Sequence, residues 1–307
     1  MSFVRDWPRH GAAFVLLIVA AGCVPPVETE ARPTPRPAVQ PVTPPPAPPR
    51  TPTRPAFTLA GIAEQGAVMV GQVPSDTLTL TLDDKAIPVA ADGRFLIAFD
   101  RDAGASARLV ATLTDGRAVE RIIAVAAGSW RLEHINAPYR GSAASDADFE
   151  RRRPAELAQI AAARNMQVVS DGWRQTFRWP VTGRLSGFFG SQRVYQGKPG
   201  TYHSGTDVAV PAGTPFVAPA DGVVVLAAAA PFTLEGNLLI VDHGMGLSSA
   251  FLHCQRLDVK VGDRVVQGQP LGTVGRTGRA TGPHMHWGLK WRDARLDPSK
   301  LAGPNGS

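Results

Sequence analysis

Nearly half of the prolines in this 307-residue chain, 13 of 28, fall between Pro25 and Pro55. The stretch is otherwise almost entirely Thr, Ala, Val and Arg. It cannot bury enough apolar surface to offset the entropy lost on ordering. Residues 24–56 are therefore expected to form a disordered, semi-rigid linker, extended by about 3 Å per residue in polyproline II form. The folded mass must come after it.

What precedes the linker reads as an export signal over residues 1–22. Arg5 and Arg9 stand ahead of an apolar run from Ala12 to Ala21 that ends in small residues before Cys23, and the run is too short to span a bilayer comfortably. Val19-Ala20-Ala21-Gly22-Cys23 resembles a bacterial lipoprotein signal, in which Cys23 is acylated and anchors the chain to a membrane. Ala20 stands where such signals usually carry Leu, and ordinary signal cleavage is the alternative. The expected location is the exported cell envelope, periplasmic and membrane-anchored. Cys254 is the one other cysteine, so no disulfide framework holds the exported fold. A formal net charge of +6 suits an anionic neighbour such as wall polymer or lipid head groups. The arginines are scattered and no nucleic-acid motif accompanies them, which together with export sets nucleic acid aside as a partner.

Between residues 57 and 128, short apolar runs such as Leu78-Thr79-Leu80-Thr81-Leu82 and Phe95-Leu96-Ile97-Ala98-Phe99 are separated by Asp83-Asp84, Asp92-Gly93 and Asp115-Gly116. Period-two alternation between turn signals predicts a small β-sandwich. It holds no histidine and its acids fall at turns, so it is expected to be an accessory domain, a spacer or a dock for a cell-envelope protein. Residues 129–176 are expected to be a helical connector. There Ala155, Leu157, Ile160, Ala161 and Ala163 recur with helical spacing after Ser145-Asp146, and Pro154 falls in the first turns or divides the segment. From 177 to about 302 the chain is dense in Gly, Val and Pro with short alternating strands, which predicts a second, mainly β domain.

Five of the seven histidines lie between His203 and His286. In His203-Ser204-Gly205-Thr206-Asp207 the two potential ligands are four apart, a spacing that returns to one face of a strand or a helix. In His284-Met285-His286 the imidazoles are two apart, so on a strand both share a face while Met285 points to the core. Zinc accepts imidazole nitrogen and carboxylate oxygen, and three protein ligands with a fourth place free define a hydrolytic site. His203, Asp207 and one of the pair supply that number; the spacing alone does not choose between His284 and His286. The remaining imidazole can accept a proton from water. His253, ending the apolar run Ser249-Ala250-Phe251-Leu252, can donate to a developing oxyanion or position the water.

The motifs Gly187-Phe188-Phe189-Gly190, His203 to Asp207, Pro211-Ala212-Gly213-Thr214-Pro215, Ala220-Asp221-Gly222, Val241-Asp242-His243-Gly244, Leu252-His253 and Gly282-Pro283-His284-Met285-His286 follow one another in the order of a known family. Residues 178–301 resemble the lysostaphin/LytM-type zinc metallo-endopeptidases, which cleave peptide cross-links in peptidoglycan. The resemblance implies an antiparallel-β peptidase domain with a sheet-floored groove, one zinc held by His203, Asp207 and His286, His284 activating water, and His253 as its partner. It implies a D,D-endopeptidase where cross-links are direct, acting in cell wall remodelling. The middle histidine is flanked by Phe251 and Cys254 where the family often has Tyr and Leu, so no role carries over to those neighbours. Tyr195 and Tyr202 are both candidates for the tyrosine that steadies the oxyanion in some members.

Related domains that have lost metal ligands activate wall amidases without catalysis. This chain keeps all five polar positions, which favours the enzyme. A passive wall-binding protein would leave the histidines without a role. His10, His134 and His243 read as surface or core residues. Cys254 reads as a small buried residue rather than a nucleophile, and Trp287 and Trp291 as packing rather than groove lining.

Overall fold

The computed structural model describes residues 56–137, 147–166 and 168–306. The export segment, His10, Cys23 and the Pro-rich linker lie outside the described residues. No described helix is long and apolar enough to cross a membrane.

The alternating runs form β1 (Thr58–Gly61), β2 (Val68–Gln72), β3 (Thr77–Leu82), β4 (Lys85–Ala86), β5 (Arg94–Ala98), β6 (Ser106–Leu113) and β7 (Ala118–Ala124). They make two sheets, β1-β2-β5 and β4-β3-β6-β7. In β6 the inward residues Ala107, Leu109, Ala111 and Leu113 are all buried, as period two requires. Asp83, Asp84, Gly93 and Gly116 have positive φ, the backbone that tight hairpins demand.

The connector is not helical throughout. Leu132–Ile135 forms β8, ahead of α1 (Ala147–Arg164). Beyond them come β9 (Arg184–Gly187), β10 (Gln192–Tyr195), β11 (Lys198–Tyr202) and β12 (Thr206–Ala209). β8 pairs in parallel with β10, which pairs in turn with β11. Helix α1 runs through Pro154, which is exposed, so the backbone carbonyl that loses its partner there has water in reach. The helix is turned differently from the expected stripe. Leu157 is exposed, while Glu156, Ile160 and Ala163 face inward. Glu156 is buried because Thr233 supplies both its N–H (2.8 Å) and its hydroxyl (2.6 Å) to the carboxylate, satisfying a charge that burial would otherwise penalise.

The rest of the chain adds β13 (Pro215–Val217), β14 (Gly222–Ala227), β15 (Asn237–Asp242), β16 (Leu247–Cys254), β17 (Arg256–Leu257), β18 (Arg264–Val265), β19 (Pro270–Thr273), β20 (Met285–Trp291) and β21 (Ala294–Leu296). The central sheet has the order β18-β14-β15-β16-β20-β12-β9, with β21 also paired to β20. One face, carrying Phe251, Met285, Trp287 and Leu289, packs into the main core. The other carries Ile240, Ala250 and Leu252, which pack with Ile160 and Ala163 of α1.

The main core continues from Phe57, just ahead of β1, to Leu296 in β21. Polar ties reinforce it. Arg101, 6% exposed, donates to the Gly190 carbonyl at 3.1 and 3.2 Å and to Gln192 Oε1 at 2.9 Å. Lys300 pairs with Glu64 at 2.8 Å. Arg174 grips Asp92 at 2.8 and 3.1 Å.

Candidate active site

Strand pairing lays out the site. Asp207 of β12 stands opposite His286 of β20, which stands opposite Leu252 of β16. Paired residues share a face, so Asp207 and His286 rise side by side. Met285 and Trp287 are fully buried on the other side, where Trp287 donates its indole N–H to Ser249 Oγ at 3.1 Å. Both Trp287 and Trp291 belong to the core.

His203 closes a triangle. Its Nε2 lies 3.1 Å from Asp207 Oδ1 and 3.1 Å from His286 Nδ1, and His286 Nδ1 lies 2.8 Å from Asp207 Oδ1. All three ligand-type atoms fall within 4.8 Å of one another. Four donors placed tetrahedrally at zinc bond lengths of 2.0–2.1 Å stand about 3.3 Å apart, so a movement of a few tenths of an ångström fits this triangle to such an ion. The His203 Nδ1–H donates to the Phe188 carbonyl at 3.2 Å, which turns Nε2 inward as a lone pair.

Two glycines make room. A Cβ at Gly205 would sit 2.6 Å from His286 Nε2 and from the Trp287 carbonyl, and one at Gly187 would sit 2.3 Å from Asp207 Oδ2. Neither position has space for a side chain.

His253 and His284 complete the cluster. The His284 Nε2 lies 3.8 Å from Asp207 Oδ1, outside the triangle, and its Nδ1–H donates to the Gly282 carbonyl at 2.9 Å. The His253 and His284 rings are 4.9 Å apart, and the His253 Nδ1–H donates to the Thr277 carbonyl at 2.8 Å. Each ring therefore keeps an unprotonated Nε2 in its neutral form. Regular alternation after Phe251 and Leu252 would send His253 into the core. Its φ of +63° breaks the alternation and turns it into the site, a left-handed backbone that costs on the order of 1–3 kcal/mol. The surroundings hold it there. Its N–H donates to the Glu235 carbonyl at 2.8 Å, and the Glu235 carboxylate is gripped by both terminal nitrogens of Arg153 in α1 at 2.7 and 2.8 Å.

Electrostatics follow from this packing. Burial pushes Asp207 up, but hydrogen bonds from His203 and His286 outweigh it and hold the carboxyl well below the usual range. Burial lowers His203, and its bond to Asp207 more than reverses this. Burial lowers His286 and takes His253 down to about 4. The site thus offers a carboxylate with His286 and His253 held towards their neutral forms, while His203 favours a proton that metal ligation has to displace.

The other singled-out residues lie elsewhere. His243 is buried between the Asp221 carbonyl and Ser249 Oγ, each at 2.8 Å, and His134 lies in β8, exposed. Cys254 is fully buried on the core side and pushed up to about 12 by burial, which makes its thiol inert. Tyr195 and Tyr202 both line the cleft of about 810 Å³ that contains His203 and Asp207. Arg101 stacks over the Tyr202 ring at 4.6 Å. The contribution of β8 was missed in the sequence: Arg131, Leu132 and Glu133 line the same cleft.

Asp242, on β15, is buried and pushed up to about 6 from its usual 3.8, against the pull of the Gly244 N–H and of Arg164. A carboxyl raised on folding holds its proton more tightly in the folded state. Its contribution is favourable below about pH 4 and is lost as pH rises through about 6. Asp242→Asn, which keeps an acceptor for Gly244, should therefore raise the thermal midpoint at pH 7.5, by at most about 3 kcal/mol of stability. Near pH 4 the gain should vanish. An equal gain at both pH values would show that ionisation is not its source.

Two imidazoles and a carboxylate aimed at one point, with two more imidazoles beside them, define a metal centre of the hydrolytic type. The peptidase family M23 model matches residues 201–298. A crystal structure of a peptidase M23 from Pseudomonas aeruginosa is similar over 78% of this chain and 95% of that one, at 30% identity and a TM-score of 0.59. This chain belongs to peptidase family M23. Among curated relatives, it is 38% identical over 133 residues to the peptidoglycan DD-endopeptidase ShyA of Vibrio cholerae and 47% identical over 135 residues to ShyC of the same organism. The matches cover 42% and 44% of this chain but 30% and 27% of those proteins.

Proposed function

We propose that this chain is a zinc-dependent endopeptidase that hydrolyses peptide cross-links of bacterial peptidoglycan, of the D,D type, during cell wall remodelling. The observation that carries the reading is the His203, Asp207 and His286 triangle, with His253 and His284 beside it and a cleft leading to it. The names of ShyA and ShyC point to the same substrate.

His203 Nε2, Asp207 Oδ1 and His286 Nδ1 would hold the metal. Zinc so bound supplies a Lewis acid that polarises the scissile carbonyl and acidifies water. His284, 3.8 Å from the ligand carboxylate, takes the proton of the attacking water on Nε2 and returns it to the leaving amine. His253, fixed by Thr277 and Glu235, holds its ring against His284 and, with Nε2 unprotonated, positions the attacking water as an acceptor. Tyr195 and Tyr202 border the same cleft and are the groups that would steady the oxygen that gains charge. Residues 1–22 and Cys23 would export the chain and anchor it as a lipoprotein in the envelope, the Pro-rich arm would extend it towards the wall, and the sandwich would serve as an accessory module that docks an envelope protein.

The test is metal analysis of the purified protein together with analysis of fragments released from sacculi. One zinc per chain and release of uncross-linked peptides are expected. Protein without metal that releases nothing, yet stimulates a wall amidase, would establish the activator reading instead.

A further inference from the structure

A row of residues crosses the α1-covered face of the central sheet two pairs along from the metal triangle. Ser248 of β16 stands opposite Lys290 of β20, and Lys290 stands opposite Arg295 of β21. Like charges directly opposite on antiparallel strands repel, and here a third cation comes from above. Arg164, in the last turn of α1, donates to Ser248 Oγ at 3.0 Å. Among the described residues, no carboxylate lies within ion-pairing distance of Arg164, Lys290 or Arg295. The Arg295 guanidinium reaches the Tyr202 hydroxyl at 3.5 Å, and its backbone N–H bonds Asp100. Asp242, at the far end of the row opposite Ser248, acts on Arg164 without pairing with it, but is two strands from Lys290, about 10 Å away.

The three cations and His286 line one cavity of about 360 Å³ between α1 and the sheet. Its floor is Gly288 opposite Ala250. A Cβ at Gly288 would meet the Ser204 carbonyl at 3.6 Å and His286 Nε2 at 3.8 Å, ordinary contacts that a side chain there would make without a clash. Burial, together with Arg164 and Arg295, lowers Lys290, with Asp293 and Asp100 opposing. These carboxylates oppose the repulsion from outside the cavity, and an anion inside it would pair with all three cations directly.

We propose that Arg164, Lys290 and Arg295 form a carboxylate-binding subsite at the end of this cavity remote from His286. Resting on the hydrolase reading above, its ligand is a free carboxylate of the cross-linked wall peptide. Lys290 follows His286 by four strand residues, about 13 Å. The carboxylate recognised lies about four extended residues from the scissile bond.

The test compares cleavage of a cross-linked wall peptide with free carboxylates and of the same peptide with its carboxylates converted to carboxamides. Wild type should prefer the free form by about tenfold in kcat/KM, the loss of charge-assisted hydrogen bonds appearing mainly in KM. Lys290→Gln and Arg295→Gln should each reduce that preference severalfold. Arg121→Gln, the same charge change on exposed β7, should keep it. Lys290→Gln should not lower the thermal midpoint, because it relieves repulsion. Equal cleavage of both peptides by wild type, or a preference that survives in both subsite variants, overturns the proposal. Calorimetric binding of the two peptides to metal-stripped wild type separates the two readings. Preferential binding without cleavage by the metal-loaded protein upholds the subsite and sinks the hydrolase; cleavage without discrimination does the reverse.

Discussion

His284→Ala is expected to keep the full complement of metal while peptide release from sacculi falls by about 10²–10⁴-fold, the usual worth of a positioned general base. The geometry separates the two readouts. His284 Nε2 is 3.8 Å from Asp207 Oδ1, whereas the triangle atoms are 2.8–3.1 Å apart, and its own anchor is the Gly282 carbonyl rather than a ligand. The ring is replaced without removing any support from His203, Asp207 or His286. Loss of metal in this variant would make His284 a ligand, and an undiminished rate would remove it from proton transfer.

Asp207→Ala should give the opposite pattern, with metal and activity lost together. Asp207 Oδ1 lies 3.1 Å from His203 Nε2 and 2.8 Å from His286 Nδ1 and is the one carboxylate in the triangle. Its removal leaves two imidazoles to face a dication with no negative charge to offset it. Metal affinity should fall by more than the 10–100-fold typical of losing a residue that merely supports a ligand. Titration of metal-stripped protein with zinc, followed by peptide release at saturating zinc, measures this. Retention of wild-type affinity would place the metal elsewhere.

Much of the architecture could be read from local pattern. Alternation in Leu78 to Leu82, Asp-Gly turns and the Gly-rich second half all act over a few residues, and the mainly β chain follows from them. The two-residue spacing of His284 and His286 likewise fixes their relation to Met285, because strand alternation is local. What escaped was set by distant partners. Glu156 is buried because of Thr233, 77 positions away, and nothing near it announces that the acidic side of α1 turns inward. The strand at 132–135 exists because β10 offers an edge to it. The left-handed turn at His253 is held by Glu235 and Thr277, and an isolated Leu-His-Cys sequence carries no sign of it.

Arg101 has a consequence that reaches past the chemistry. Its guanidinium reaches from the turn after β5 to the Gly190 carbonyl, and the Gly190 N–H in turn bonds the His203 carbonyl, while the apolar core is shared across that boundary. Melting should accordingly be concerted, a single calorimetric transition in place of two. Lesions in the accessory module would then be inherited by the catalytic half as lost foldedness, even though none of its residues touches a reacting atom.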